Sequence, residues 1–243
     1  MAFGVIALSL STGQLQEKLV DFFFPRRCVG CGEMGHFLCA RCQKKLPRLL
    51  QPFCKKCGKP ESSGGLCPAC WGQETAIDGI RSVFRFEGVV RRAIHELKYR
   101  NLKAISGCLA ILMANYLKDN KDNQVHGEVL VPIPLHLRRL RERGYNQSSL
   151  LARELGKLIV LPVIDDSLRR LKDSLPQART TTVEERRRNV ARAFACRDEK
   201  LSGRRVILID DVCTSGATLE ACAKALKVAG AVSVWGLTLA REI

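Results

Sequence analysis

Arg205-Val-Ile-Leu-Ile-Asp210-Asp211-Val-Cys-Thr214-Ser215-Gly216-Ala-Thr218 is the stretch that decides the fold. Its apolar run Arg205–Ile209, short and β-branched, predicts a buried strand that runs out at the acidic pair. A short hydroxyl-rich loop with one glycine follows, and helical spacing takes over across Leu219–Ala229, with Gly230 as the stop. Ligands of open α/β sheets bind beyond the carboxyl ends of the strands, which is where this loop falls. The loop amides, with the helix N-terminus, offer a fixed nest for a phosphate dianion. Thr214, Ser215 and Thr218 add hydroxyl donors, and Gly216 lets the backbone approach closely. Asp210 and Asp211 lie too near that nest to serve the phosphate itself. Carboxylates suit a neighbouring diol and can orient a Mg²⁺ shell. The competing reading is that the acids only cap the following helix.

Working outward, the pattern alternates strands with helices. Ser82–Glu87 and Val129–Pro134 read as strands, the second ending in proline, and Val232–Leu239 as the last strand. Val89–Tyr99 has helical spacing, with Val90, Ile94 and Leu97 on one face. Leu102–Leu117 is a more continuously apolar helix, and Tyr145–Ile159 an amphipathic one with Leu150, Leu151, Leu155 and Leu158 inward. Val183–Val190 reads as a short, very basic helix. This order predicts an α/β fold with a mostly parallel sheet flanked by helices. Pro132 and Pro134 make a stiff turn at a strand end, able to present Pro134, Leu135 and His136 to a pyrophosphate. Arg138, Arg139, Arg141 and Arg143 follow at once. Arginine is a natural phosphate clamp, and Arg143 is the candidate among them, a solvated helix face being the plain alternative. Lys98 either reaches a phosphate or snorkels.

Eight of the 12 cysteines fall into four Cys-x-x-Cys pairs: Cys28/Cys31, Cys39/Cys42, Cys54/Cys57 and Cys67/Cys70. Each pair is a knuckle, and two knuckles complete a closed tetrahedral four-thiolate Zn²⁺ site. Gly32 and Gly58 stand where a knuckle needs positive φ. Two structural zinc ions are therefore expected. Sequential pairing is favoured because short loops close at lower entropic cost, with crossed pairing left open. Of Cys108, Cys196, Cys213 and Cys222, three are expected as small core residues. The expected organisation is an N-terminal extension over 1–20, a cysteine-rich double zinc-ribbon module over 21–75 and an α/β domain over 76–243, with a linker near Gly72–Asp78.

The chain has 243 residues, 46% hydrophobic, which suffices for a buried core. Forty Lys+Arg against 24 Asp+Glu give a formal charge of +16, favouring anionic partners. The apolar stretch Met1–Leu10 is far short of the roughly 20 residues of a spanning helix. It also lacks the basic region and cleavage site of a signal peptide, so a cytoplasmic, thiol-reducing setting is expected.

The stretch Val206–Thr218 closely resembles the phosphoribosyl-pyrophosphate signature of type I phosphoribosyltransferases. The chain from Asp21 onward resembles the ComF (competence protein F, or amidophosphoribosyltransferase-like) family. The resemblance is carried by Asp21-Phe-Phe-Phe-Pro-Arg-Arg-Cys28, by Ile94-His-Glu-Leu-Lys98-Tyr99 and by Val131-Pro-Ile-Pro-Leu-His136. Further matches are Arg141-Glu-Arg143-Gly-Tyr-Asn146-Gln147, Gln177, and Arg186-Arg-Arg-Asn189-Val with Ala193-Phe194. It implies a type I phosphoribosyltransferase fold with an N-terminal double zinc ribbon. It also implies phosphoribosyl pyrophosphate as ligand, with Asp210 through Thr218 on the phosphoribosyl group, Pro134, Leu135, His136 and Arg143 on the pyrophosphate, and Mg²⁺ accompanying it. A catalytic version would transfer a 5-phosphoribosyl group with Asp210, Asp211 and Arg143 in the machinery. The family link to DNA uptake supports a second class of function, a non-catalytic accessory protein that binds single-stranded DNA and works beside a competence helicase. Arg186–Arg188 and Arg192 then form a basic nucleic-acid patch. Aromatic content of 6% leaves little for base stacking.

Overall fold

The computed structural model describes residues 26–119, 125–171 and 193–243. The chain divides into two compact units, one reaching to Lys45 and one from Leu46 to Ile243. The basic helix expected at Val183–Val190, together with Asp21–Pro25, Gln177, Arg186–Asn189 and Arg192, lies outside the described residues.

The smaller unit contains the first two knuckles, an antiparallel bridge between Arg27 and Met34, and helix α1 (Ala40–Lys44). The larger unit is built on strands β1 (Gly79–Arg85), β2 (Val129–Pro132), β5 (Arg205–Cys213) and β6 (Ser233–Arg241). They form a sheet in the order β1-β6-β5-β2, and every neighbouring pair is parallel. Helices α2 (Gly88–Tyr99), α3 (Ile105–Asp119), α4 (Leu137–Arg143), α5 (Gln147–Ile159) and α6 (Ala217–Val228) fill the crossovers. A two-stranded antiparallel pair, β3 (Leu168–Arg170) and β4 (Phe194–Cys196), packs with α6.

Parallel strands are buried on both faces, and β5 shows it. Val206, Ile207, Leu208 and Ile209 are each at most 2% exposed, contributing about 1.5–3 kcal/mol apiece. Val206 and Leu208 share one face with Leu219, Cys222 and Leu226 of α6 and Phe194 of β4. The alternate residues point at the layer of α3 and α5, which pack on each other and, for α5, on β5 and β2.

Several local expectations shift. Strand β5 does not stop at Ile209. Its register with β6 runs on through Asp210↔Thr238, Val212↔Ala240 and Cys213↔Arg241, so the acids stand inside the strand. The inward face of α5 is Gln147, Ser148, Leu151, Ala152, Leu155 and Gly156, while Leu158 is 49% exposed. That face meets β5, whose acids accept hydrogen bonds, so polar residues replace leucines at its N-terminal end. The β3–β4 pair and α4 escape a periodicity reading because three-residue strands and a wholly unburied seven-residue helix carry no apolar pattern.

The exposed edges of the sheet are both covered, as edge strands require. Val163 bridges Leu130 on the β2 side. On the β1 side, Leu49 N donates to Val83 O (3.1 Å), Arg85 N to Pro47 O (2.8 Å) and Ile80 N to Lys56 O (2.8 Å). The third and fourth knuckles thus belong to the same compact unit as the sheet. The change of composition near Gly72–Asp78 is not a break in packing.

Candidate phosphate site and metal centres

The two sets of four cysteines form sequentially. Cys28, Cys31, Cys39 and Cys42 group together, as do Cys54, Cys57, Cys67 and Cys70, each set with its sulfurs within 4.8 Å of one another. Cys31 and Cys39 sulfurs are 3.6 Å apart, and those of Cys57 and Cys67 are 3.7 Å apart. A tetrahedron with Zn–S near 2.3 Å has edges of about 3.8 Å, so the donor sets fit zinc. Gly32 and Gly58 take φ of +79° and +71° at the knuckle turns. Burial disfavours the Cys28 thiolate, but amides of Cys39, Cys31 and Gly30 outweigh it and bring the thiol down to about 6. Burial and then amides of Cys67, Cys57 and Lys56 act the same way on Cys54, also to about 6. Burial and then the neighbouring thiols push Cys42 up to about 12. A divalent cation removes that mutual repulsion, which is how four thiolates coexist. His36 is exposed and outside both sets. Purified protein should carry about two zinc ions per chain by metal analysis. A folded, metal-free protein with eight titratable thiols would contradict this.

The acid pair sits where β5 meets the start of α5. Ser148 Oγ donates to Asp210 Oδ1 (2.8 Å), and Gln147 Nε2 donates to Asp211 Oδ1 (3.2 Å). Asn146 caps α5 by accepting from Ser148 N (3.0 Å), and its amide donates to Ile133 O (2.9 Å), tying the helix start to the end of β2. The carboxylates thereby face the positive end of a 13-residue helix. Asp211 is 2% exposed and forms an ion pair with Lys98, the penultimate residue of α2. Lys98 neither snorkels nor waits for a phosphate: it balances Asp211. Asp210 is only partly buried, and burial, followed by the charge of Asp211, pushes its carboxyl up to about 8 against the opposing Ser148 hydrogen bond. Of the two acids, Asp210 is the one with room for a ligand.

Arg143 joins this network. Its guanidinium donates to Gln147 Oε1, so contacts run from Arg143 through Gln147 to Asp211 and Lys98. The same guanidinium lies 5.3 Å from the Tyr99 ring centroid. Tyr145, in the same segment, is buried and donates its hydroxyl to Leu97 O. Pro134, Leu135 and His136 follow Ile133, whose N–H donates to Ile209 O (3.0 Å), so this turn and the β5 loop leave the same end of the sheet. His136 Nδ1 accepts from Arg138 N (3.1 Å), capping α4.

Thr214 and Ser215 are exposed, and among the described residues the N–H groups of Thr214, Ser215 and Gly216 have no acceptor. Gly216 has φ +83° as the N-cap of α6. Ser215 Oγ accepts from Ala217 N (3.3 Å), leaving Val212 and Thr218 half-buried at the two ends of the loop. Cys213 is buried, with its sulfur 3.1 Å from Arg241 Nη1. Ser148 was not singled out in the sequence. The Asn-x-Ser spacing of Asn146 and Ser148, a helix-cap pattern, is the signal that marks it.

The comparisons with known proteins agree with this architecture. The chain is 32% identical over 231 residues to Competence protein F of Haemophilus influenzae, covering 90% of this chain and 99% of that one. The chain belongs to the ComF family. Competence protein ComFC of Bacillus subtilis is 32% identical over 213 residues, covering 84% of each. DNA utilization protein YhgH of Escherichia coli is 27% identical over 210 residues, covering 84% of this chain and 91% of its own. The double zinc ribbon domain family matches residues 19–73 and the phosphoribosyl transferase domain family residues 140–241. A Bacillus subtilis glutamine phosphoribosylpyrophosphate amidotransferase solved with ADP and GMP is similar at TM-score 0.38 and 17% identity. It matches over 56% of this chain, which spans about a quarter (26%) of that one. Among the described residues no helix is long and apolar enough to cross a membrane.

Proposed function

We propose that this ComF-family chain binds phosphoribosyl pyrophosphate at the carboxyl end of β5 and transfers its 5-phosphoribosyl group. One observation carries the reading: a partly buried carboxylate, Asp210, held by Ser148, stands near the end of the strand that leads into a loop whose Thr214–Gly216 amides have no acceptor among the described residues. The 5-phosphate takes those amides with the hydroxyls of Thr214, Ser215 and Thr218. Asp210 accepts from the ribose hydroxyls, while Asp211, locked on Lys98 and Gln147, holds the strand end. Arg143 and the Pro134–His136 turn meet the pyrophosphate. Asp210 would hold a Mg²⁺ ion, which would supply positive charge to the departing pyrophosphate. Oriented dipoles and arginine stabilise charge without a covalent nucleophile.

Calorimetry tests this with phosphoribosyl pyrophosphate and ribose 5-phosphate, each with Mg²⁺. Arg143→Ala should weaken the pyrophosphate ligand about tenfold, the worth of one charge-assisted hydrogen bond, and leave ribose 5-phosphate nearly unchanged. Asp210 must lose its proton to engage a cation, so affinity should rise from pH 6 toward its pKa of about 8. No binding of either ligand, or equal weakening of both by Arg143→Ala, overturns the reading.

A second reading rests on the +16 charge and the competence and DNA-utilization names of the relatives: a non-catalytic protein binding single-stranded DNA, beside a competence helicase. Labelled phosphoribosyl pyrophosphate that is bound but never consumed, with DNA affinity falling steeply with salt, favours this reading.

A further inference from the structure

We infer that Ile80 is a positioning residue through which the second metal centre sets the geometry of the β5 loop. This rests, for its ligand arm, on the proposal that the loop takes a 5-phosphate. Ile80 is 4% exposed and faces both features at once. Its backbone is bound to the third knuckle: its N–H donates to Lys56 O at 2.8 Å, and its carbonyl oxygen lies 2.3 Å from where a Gly58 Cβ would stand. No side chain fits there, so the metal-holding turn Cys54–Gly58 rests directly on β1. The side chain of Ile80 points the other way. Its Cδ1 lies 3.0 Å from where a Gly216 Cβ would stand, with Cys213 Sγ at 3.8 Å as the second support.

Two further struts join the same parts. Arg81, 4% exposed, donates to Lys55 O (3.0 Å) and Ile80 O (2.8 Å), with its guanidinium 4.9 Å from the Phe53 ring and 5.2 Å from Trp235. A zinc ion on four thiolates keeps a net negative charge, which accounts for a buried arginine beside Cys54 and Cys57. Downstream of Cys70, the amides of Ala76 and Ile77 donate to the Glu220 carboxylate (2.9 and 3.1 Å), pinning the chain that leaves the ribbon to the first turn of α6. Glu220 N in turn donates to Gly216 O (2.9 Å).

The knuckle has little apolar core of its own, so its shape follows its metal. Once it loosens, β1 loses the Lys55 and Lys56 carbonyls from its edge, and Ile80 moves from under Gly216. Close-packed interiors pass on such displacements rather than absorbing them. The first cysteine set lies in the other compact unit. Every contact named above runs to the second cysteine set, so that set is the one assigned to the loop.

The test compares Cys57→Ser, Cys31→Ser, Ile80→Ala and Ile80→Val in the full chain. The readouts are zinc content, hydrogen exchange at the Glu220 amide without ligand, and ribose 5-phosphate affinity. Cys57→Ser and Cys31→Ser should each lose one zinc, but only Cys57→Ser should speed Glu220 exchange, by about tenfold or more as that turn opens locally. Ile80→Ala should keep both zinc ions and still speed exchange and weaken ribose 5-phosphate, while Ile80→Val restores both. Should Cys57→Ser fail to fold, Ile80→Ala carries the decision. Equal exchange in the two cysteine variants, or parental exchange in Ile80→Ala, overturns the inference. Faster exchange in a protein whose parent binds no ribose 5-phosphate leaves the coupling standing and removes the ligand reading.

Discussion

Lys98→Met is expected to destabilise the larger unit by about 3–5 kcal/mol, the cost of leaving one partner of a buried ion pair unmatched. Asp211 is 3% exposed at its side chain and Lys98 20%, so neither charge is fully screened by water. Removing the ammonium strands Asp211 with Gln147 as its remaining side-chain donor among the described residues. Asp211→Asn alone should also cost stability, because it leaves Lys98 facing a neutral amide. The double variant Lys98→Met/Asp211→Asn should recover most of the loss. Urea unfolding of the four proteins closes the cycle, and a coupling of about 2 kcal/mol or more is expected for groups in direct contact. Each single variant costing under about 1 kcal/mol, with no coupling, would show the pair to be an ordinary solvated ion pair. The cycle also bears on ligand experiments, since affinity lost by Asp211→Asn mixes a site effect with a folding effect, whereas Asp210, partly buried, reports on the site.

How much of this was legible in the sequence follows from the range of each interaction. The zinc sets were readable because a metal imposes its spacing on nearby residues, and sequential grouping follows from short loop closure. The β5 loop was readable because strand, acids, hydroxyls and glycine are contiguous. What escaped involves residues far apart in the chain. Nothing near Lys98 announces that it meets Asp211, and nothing near Ile80 tells of Lys56 on one side and Gly216 on the other. The length of β5 escaped for the same reason: Asp210 and Asp211 disfavour a strand locally, yet pairing with β6 carries it to Cys213. The seating of the second ribbon escaped too, because the hydrogen bonds that place it on the edge of β1 join residues far apart in the chain.

Gly216→Val should remove binding of every 5-phosphate ligand while Arg143→Ala spares ribose 5-phosphate. At φ +83° a β-branched residue is strained by about 1–3 kcal/mol, and its Cβ would stand 3.0 Å from Ile80 Cδ1. The loop relieves both by rotating away from left-handed geometry, which turns the Ser215 and Gly216 amides off the phosphate. Hydrogen bonds to a charged group are worth about 1.5–3 kcal/mol each, so losing two weakens affinity by about a hundredfold or more. Gly203→Val supplies the control. Gly203 also has positive φ (+70°), but no described residue lies within 4 Å of its Cβ position, and it precedes the opposite end of β5. That variant should pay a comparable strain in thermal midpoint and bind ribose 5-phosphate like the parent. Both should keep their zinc, since neither glycine belongs to a cysteine set. Calorimetry on the two variants decides the matter. If Gly216→Val binds like Gly203→Val, Thr214–Gly216 is only the cap of α6, and the phosphate belongs elsewhere or nowhere in this chain.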